Sequence, residues 1–425
     1  MPSPTTDASL SKPDFPQSKP GIFHPAKLWP FINWLFFFYL AIDLLINNRL
    51  IVDQADINLL KEFPRGQGLI LTPNHADETD FKVCVEVARR AGRNFFYMMN
   101  TEAFDEGHGM AGWWMQRLGA FSVDRGGMST MVQSKDFALK VVKGKDVLVI
   151  FPEGEIYYLN DQVQPLKSGA AEIALKAILQ ERQAGHSDWS AYLMPMAIKY
   201  SYPRSIQKVL DKRIQNIEKR LHRKVRSQDV KLRLGLIIAE LLRRQEIAHN
   251  LKAGSANLKV LSERVADVRQ AVLEQLEDRY ELNARDERKG LLDRSWKLSS
   301  YLRSLPRGSR KETLAEMKKD LASLARVARM VSWQPQYVEL NPSQERLAET
   351  VLKLERDVYN IKRPRQLAKR RAHVKIGSPI DLSPYMDEYE RAPHEARHHI
   401  ADKLRDHLQE LIDAMASNIE KSRAL

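Results

Sequence analysis

Between residues 49 and 200, short apolar runs alternate with stretches in which apolar residues recur at helical spacing. The apolar runs predict strands and the amphipathic stretches predict helices. The predicted strands cover 68–73, 94–99, 147–151 and 192–200, and the predicted helices cover 79–91, 128–143 and 168–183. Strands that alternate with helices favour a largely parallel sheet that is covered on both faces. We therefore predict an α/β fold, with a mostly parallel sheet flanked by helices.

The alternation stops near Pro203, and residues 204–366 combine helical periodicity with dense charge and few glycines. This pattern predicts a long all-α segment of three to five helices, which we call the helical segment. The predicted breaks fall at 254–255, 306–308 and 335, and no fixed period recurs. Strand alternation returns at 372–380, and an amphipathic helix is predicted from 392 to 421. On sequence pattern alone, two sequential domains and one interrupted domain are equally consistent with this order.

The beginning of the chain predicts contact with a membrane. Residues 1–27 are rich in Pro and Ser and are predicted to be disordered, whereas 28–46 form an almost unbroken apolar run. This run would just reach across a bilayer, which needs about 20 residues. Its polar residues and early proline disfavour a spanning helix, and its aromatic residues favour a helix embedded at headgroup level. We predict a membrane-associating helix at 28–47, with a spanning helix and a buried core helix as the alternatives.

The net charge of +13 resides in the helical segment, where 37 Lys and Arg face 22 Asp and Glu. Acidic and basic residues are interleaved there at helical spacing, which is typical of a solvated surface or of contact with anionic membrane lipids. No nucleic-acid partner is expected from this pattern. The single cysteine, Cys84, excludes an internal disulfide and fits a reducing compartment. It lies on the apolar side of a predicted helix, so we expect a buried thiol.

His75 and Asp80 follow the first predicted strand of this series, and Asp80 comes five positions after His75. On a continuous helix this spacing would leave the two side chains roughly 140° apart. They can meet only if the chain turns between them, with Asp80 in the first turn of the next helix. Asp80 could then accept from Nδ1–H and leave Nε2 as a general base. The alternative is a loop histidine, with Asp77 or Thr79 capping the helix.

Three further blocks also stand at or near predicted strands. Asp124-Arg125 follows Phe121-Ser122-Val123, and an arginine with glycines after it can bind an anion through two hydrogen bonds. Phe151-Pro152-Glu153-Gly154 leaves a buried strand and would place a carboxylate at the sheet edge. Met194-Pro195-Met196-Ala197 lies within the last of these strands. Polar residues at the carboxyl ends of strands are where open α/β sheets build their sites. No spacing typical of metal ligands occurs, so no metal and no cofactor are expected.

In this order the four blocks resemble the glycerolipid acyltransferase family, which contains lysophosphatidate and glycerol-3-phosphate acyltransferases. The resemblance implies that His75 deprotonates the acceptor hydroxyl, that Asp80 orients His75, and that no acyl-enzyme forms. It further implies a substrate-binding set, which comprises Asn74, Arg125, Glu153, Gly154 and Lys167. The co-substrate would be acyl-CoA or acyl-carrier protein, and the acceptor a lysophospholipid or glycerol phosphate. The implied location is a membrane, at its cytoplasmic face.

The chain departs from the family pattern at two places. Asp77 stands where the family usually has serine, and Glu155-Ile156-Tyr157 stand where the common pattern has Thr-Arg-Ser. The second departure removes a phosphate-binding cation and adds a carboxylate, so the acceptor could differ from lysophosphatidate. The alternative function is a degenerate acyltransferase core that acts as a scaffold through its helical segment.

The family pattern also bears on organisation, because a strand followed by Gly-x-Pro-Ile comes after its fourth block. Gly377-Ser378-Pro379-Ile380 fits that element. The resemblance therefore implies one α/β domain, made of 48–203 and 367–425 and interrupted by a helical insertion at 204–366.

Overall fold

A computed structural model describes residues 48–104, 110–123, 128–223, 227–251, 258–282, 290–305, 314–334, 336–337 and 342–424. The described strands form one sheet of eight: β1 Asn48–Val52, β2 Gly68–Pro73, β3 Phe95–Asn100, β4 Ala120–Val123, β5 Val147–Val149, β6 Ala191–Ser201, β7 Arg370–Ile376 and β8 Ile380–Asp381. Their spatial order is β1-β7-β6-β2-β5-β3-β4, and β8 continues along β6 beyond β7. Pairing is parallel except between β6 and its neighbours β7 and β8. The predicted mostly parallel sheet is confirmed.

The described helices are α1 Gln54–Glu62, α2 Asp80–Ala91, α3 Thr101–Phe104, α4 Met110–Arg117, α5 Met128–Lys143, α6 Gly169–Gln183, α7 Gln207–Arg220, α8 Val230–Ala248, α9 Leu258–Arg279, α10 Leu291–Ser304, α11 Leu314–Met330, α12 Gln344–Val358, α13 Met386–Arg391 and α14 Pro393–Ala424. One face of the sheet packs against α5, α6 and α14, and the other packs against α1 and α2. All six residues of the central strand β2 are buried, because helices cover both of its faces.

The helical segment leaves the sheet after β6 and returns to it at β7, and these two strands are paired. Met196 lies opposite Ile376, and Ser201 lies opposite Arg371. At the end of β7 the backbone N–H of Gly377 donates to the Pro195 carbonyl oxygen at 2.9 Å. A Cβ at this position would lie 2.9 Å from the Pro195 ring, so a larger residue would push β7 away from β6. Both ends of the helical segment are therefore fixed on one pair of strands.

Six helices, α7 to α12, lie in the described part of the helical segment, where the sequence predicts three to five. The unpredicted breaks follow α7 and α9. Each includes a non-glycine residue with left-handed backbone, His222 at φ 57° and Glu281 at φ 52°. The N–H of the next residue bonds back five positions, from Arg223 to Glu218 and from Leu282 to Glu277. Helices usually end in this way with glycine. Without glycine these ends carry no clear signal in the sequence.

Buried carboxylate–guanidinium pairs join successive helices of the helical segment. Each is a two-point pair between a glutamate near one helix end and an arginine of the following helix: Glu218–Arg233, Glu246–Arg264 and Glu277–Arg294. Each glutamate stands four residues before a left-handed residue, which is His222, Asn250 or Glu281. The separations within the pairs are 15, 18 and 17 residues, so a recurring contact leaves no fixed sequence period.

Breaking one such pair should destabilise the helical segment strongly. In Arg264→Ala the buried Glu246 carboxylate would lose both hydrogen bonds from this guanidinium, and such losses cost roughly 3–5 kcal/mol. The check is urea unfolding followed by circular dichroism. Arg243→Ala, which removes an exposed partner of Glu240, should change the stability little, because solvent screens the pair. Equal losses in the two variants would contradict the importance of burial.

Candidate active site

His75 and Glu153 meet because they follow neighbouring parallel strands, β2 and β5. The backbone N–H of His75 donates to Glu153 Oε1 at 2.8 Å. The side-chain amide of Asn74 exchanges two hydrogen bonds with the backbone of Ile198 on β6, at 3.0 and 2.6 Å. Residues 74–80 are called the His–Asp turn. Strands β2, β5 and β6 together fix the backbone at the start of this turn.

The His–Asp turn brings His75 and Asp80 together. Asp80 begins α2, and its Oδ2 lies 3.0 Å from His75 Nδ1. The same oxygen accepts from the backbone N–H of Asp77 at 2.8 Å. Burial raises the pKa of Asp80, and the hydrogen bond and charge of His75 oppose this rise. The required change of direction lies at Asp77, whose Oδ1 accepts from the backbone N–H of Thr79 at 2.9 Å.

The Nε2 edge of the His75 ring points away from Asp80. The ring stacks on Phe151 with centroids 4.2 Å apart, and the side chain is 17% exposed. No residue in the described ranges forms a hydrogen bond with Nε2. A neutral ring with Nδ1–H held by Asp80 would present Nε2 as an acceptor for a proton.

Tyr200, which the sequence does not predict here, contacts the His–Asp turn. Its hydroxyl donates to Asp80 Oδ1 at 2.7 Å and lies 2.9 Å from Thr79 Oγ1. Both oxygens of the buried Asp80 are therefore engaged. Tyr200 is near the end of β6, where its ring also contributes to the core. An aromatic residue in an apolar strand gives no sequence signal for such a role.

Asp77 is the first of the two departures from the family pattern. Its negative charge is compensated by Arg370, almost 300 positions later in the chain. Its buried Oδ2 accepts from Arg370 Nη1 at 3.0 Å and from Gln366 at 3.1 Å. Arg370 also donates to Asn48 and lies over the Tyr200 ring, 4.1 Å from its centroid. Burial raises the pKa of Asp77, but the charge and hydrogen bond of Arg370 lower it more, so that the net pKa is below its usual value.

Glu153 turns inward from the sheet edge. It is 3% exposed, and its two oxygens accept from the backbone N–H groups of His75 and Gln164. Burial raises the pKa of this carboxyl to about 7, against the effect of the bond from His75. Gly154 follows with φ at +75°, a left-handed conformation that glycine adopts without strain. In this position Glu153 supports the backbone of the His–Asp turn.

Lys167 is held by the helical segment. Its Nζ lies 2.7 Å from both carboxylate oxygens of Asp293 on α10 and 5.4 Å from the centre of the Trp296 ring. Trp296 also lies near Gly154. Arg125, the other predicted cation of the substrate-binding set, is outside the described residues. The third block in chain order is Phe151-Pro152-Glu153-Gly154. Helix α10 therefore covers this block at the point where the sequence predicts substrate binding.

The second departure from the family pattern also faces the helical segment. Tyr157 and Leu159 are buried in the hydrophobic core of that segment, together with residues of α7 to α12. Ile156 and Glu155 are partly exposed beside them. Residues 155–159 thus join the third block to the helices, which gives this stretch a packing role.

A cavity of about 180 Å³ adjoins the His–Asp turn and is bounded by Asp77, Glu78 and Thr79 on one side. Helix α12 supplies Lys353 and Arg356 on the other. Among the described residues, no three His, Cys, Asp or Glu side chains are placed to hold a metal ion. No helix in that part of the chain is both long and apolar enough to cross a bilayer, and the predicted membrane helix at 28–47 lies outside it.

The structure is that of an α/β protein with a largely parallel sheet, in which a His–Asp pair at the end of β2 lies beside a glutamate that follows β5. The sequence model of the family described as Acyltransferase matches residues 55–199. These residues, from α1 to β6, form an acyltransferase domain, and the predicted resemblance is confirmed over that range. No curated protein matches the chain. The family match supports an acyltransferase activity in general.

The raised pKa of Glu153 predicts a pH effect on stability. The folded protein keeps the proton of Glu153 up to about pH 7, whereas the unfolded chain loses it near 4.5. The folded state therefore binds more protons between these values, and its stability falls as pH rises through them. Glu153→Gln has no carboxyl to titrate. Its free energy of unfolding should rise relative to the parent, by on the order of 3 kcal/mol, from pH 4.5 to above 7.

Denaturant unfolding of both proteins across this pH range provides the measurement. Glu345→Gln is a suitable control, since it alters another buried carboxylate that lies outside the His–Asp turn. A difference between parent and Glu153→Gln that stays constant with pH would show that Glu153 is ionised throughout.

Proposed function

We propose that this protein transfers a fatty acyl group from acyl-CoA or acyl-carrier protein to a hydroxyl of a lysophospholipid or glycerol phosphate. The activity would be of the 1-acylglycerol-3-phosphate O-acyltransferase type. The observation that carries the proposal is the 3.0 Å contact between His75 Nδ1 and the buried Asp80, which leaves Nε2 without a partner in the described part of the chain. Membrane attachment through residues 28–47 is part of this proposal.

In the proposed reaction His75 Nε2 removes the proton of the acceptor hydroxyl as its oxygen attacks the thioester carbonyl. The tetrahedral intermediate then expels the thiolate, which takes up a proton from Nε2. Asp80 stabilises the transient imidazolium through Nδ1 and keeps the ring oriented. Cys84 is fully buried, and burial raises the pKa of its thiol well above the usual value. Such a thiol is unsuited to forming an acyl-enzyme, which supports direct attack.

His75→Ala should lower the rate of acyl transfer by about 10²–10⁴ and leave the fold intact. The assay is labelled acyl-CoA with a panel of lysolipids and identification of the product. His186→Ala is the matched control, because His186 also contacts a carboxylate five residues away but is exposed on the surface. A folded His75→Ala protein with normal turnover would exclude His75 as the base. A parent protein without transfer to any acceptor would favour the scaffold alternative.

We infer from the contact between Lys167 and Asp293 that the helical segment influences the choice of acceptor. If Lys167 binds an acceptor phosphate, Asp293 competes for the same ammonium group. Half-exposed pairs of this kind contribute modestly, roughly 0–1 kcal/mol. The acceptor preference would then depend on α10 as well as on residues of the acyltransferase domain.

Asp293→Asn should lower the KM for lysophosphatidate by about two- to fivefold relative to lysophosphatidylcholine, with kcat unchanged. Once Asp293 is neutral, Lys167 should attract the anionic phosphate monoester of lysophosphatidate more strongly than the zwitterionic headgroup of lysophosphatidylcholine. Asp267→Asn removes an equal charge from an exposed position on α9 that does not contact Lys167, and it should leave the ratio unchanged. An unchanged ratio in Asp293→Asn would show that Lys167 does not face the headgroup.

A further inference from the structure

The helical segment contains a cleft of about 390 Å³ that is separate from the His–Asp turn. Helices α7, α8, α11 and α12 and their connections form its walls. Its polar lining includes Arg220, Arg244 and Arg326, together with His222. Leu221, Leu241 and Val358 supply an apolar floor. Six of the ten lining residues are polar or charged, so the cleft suits a polar, anionic ligand better than an apolar one.

Two of the three arginines, Arg220 and Arg326, form no ion pair with a carboxylate in the described part of the chain. Arg244 is paired with Glu240 of its own helix at 2.9 Å. Arg326 donates to the neutral amide oxygen of Gln245 at 3.1 Å. In the described part of the chain, neither Arg326 nor Arg220 lies within ion-pair distance of a carboxylate. The cleft therefore presents at least two uncompensated guanidinium groups, which favour phosphate oxygens.

Two buried atoms of the lining residues also lack partners among the described residues. Trp333 is 6% exposed, and its Nε1–H has no acceptor. Asp357 bonds to Arg329 through Oδ1, while its Oδ2 is buried and accepts no hydrogen bond. Unsatisfied buried groups are rare in folded proteins. Neighbouring atoms shield both groups from solvent, so a ligand that brings an acceptor for Trp333 and a hydroxyl donor for Asp357 would satisfy both by displacing those neighbours.

We propose that this cleft binds a phosphate monoester that also carries hydroxyl groups, that is, a nucleotide, a sugar phosphate or a polyol phosphate. The phosphate would lie between Arg220 and Arg326 and accept from Trp333, and a ligand hydroxyl would donate to Asp357. The site is distinct from the proposed acyl-transfer site and does not depend on that activity.

The cleft has a structural route to the His–Asp turn through α12. Asp357 and Val358, at the end of this helix, line the cleft. Lys353 and Arg356, less than two turns earlier, line the cavity beside Asp77, Glu78 and Thr79. A ligand that fixes the end of α12 would therefore act on an element that borders both sites.

The test is isothermal titration of the full-length protein at low salt with adenosine 3′,5′-bisphosphate, glycerol 3-phosphate and inorganic phosphate. At least one hydroxyl-bearing probe should bind and should bind more tightly than inorganic phosphate. Arg220→Gln and Arg326→Gln should each weaken that binding about tenfold, since one charge-assisted hydrogen bond is lost. Arg243→Gln is the matched control, because it removes the same charge from an exposed position of α8 that does not line the cleft.

Trp333→Phe keeps an apolar ring and removes only the N–H donor, so it should weaken binding with the fold retained. Co-sedimentation with vesicles of phosphatidylcholine, with and without phosphatidylinositol phosphate, identifies the source of the phosphate. Vesicle binding that is lost in Arg220→Gln and Arg326→Gln would assign a lipid headgroup, and probe binding without vesicle binding would assign a soluble ligand. Absence of binding by all probes and vesicles, or equal weakening in Arg243→Gln, would overturn the proposal.

Discussion

The carboxylate of Asp80 has no exposed surface and receives hydrogen bonds from three directions. His75 contacts it from the loop, the Asp77 backbone from within the turn, and the Tyr200 hydroxyl from β6. A buried carboxylate is costly unless such donors surround it. The requirement to supply these donors constrains the strand end, the turn and the first residue of α2 together. The orientation of His75 depends on all three, so the site is a property of the sheet edge as a whole.

The helical segment is bound to this edge at several points. Its ends are carried by β6 and β7, which are paired, and α10 contacts Lys167 through Asp293. Tyr157 and Leu159 pack into its core directly after the third block. Within the segment, buried glutamate–arginine pairs fix α7 against α8, α8 against α9 and α9 against α10. A movement of these helices relative to the sheet would therefore disturb residues beside the site as well as the bundle itself.

The sequence predicted the elements of the sheet well because their periodicity is strong. The helix 128–143 and the strand 68–73 are found with the predicted bounds, and the spacing of His75 and Asp80 predicted a turn that the structure contains. Tyr200 could not be predicted, since its hydroxyl acts through a contact across 120 residues. The partner of Asp77 is likewise remote in sequence. The helix ends at His222 and Glu281 were missed because their left-handed residues are not glycine. Local patterns thus specify elements, whereas contacts between distant segments complete the site.

The bond between Asp77 and Arg370 spans 293 positions of the chain. During synthesis, the His–Asp turn emerges from the ribosome long before the residue that neutralises it. Until β7 is made and pairs with β6, Asp77 must stay solvated or be buried without its partner, and the second alternative is costly. The acyltransferase domain of residues 55–199 therefore cannot reach its final arrangement early. Completion of the His–Asp turn therefore waits for translation through the whole helical segment.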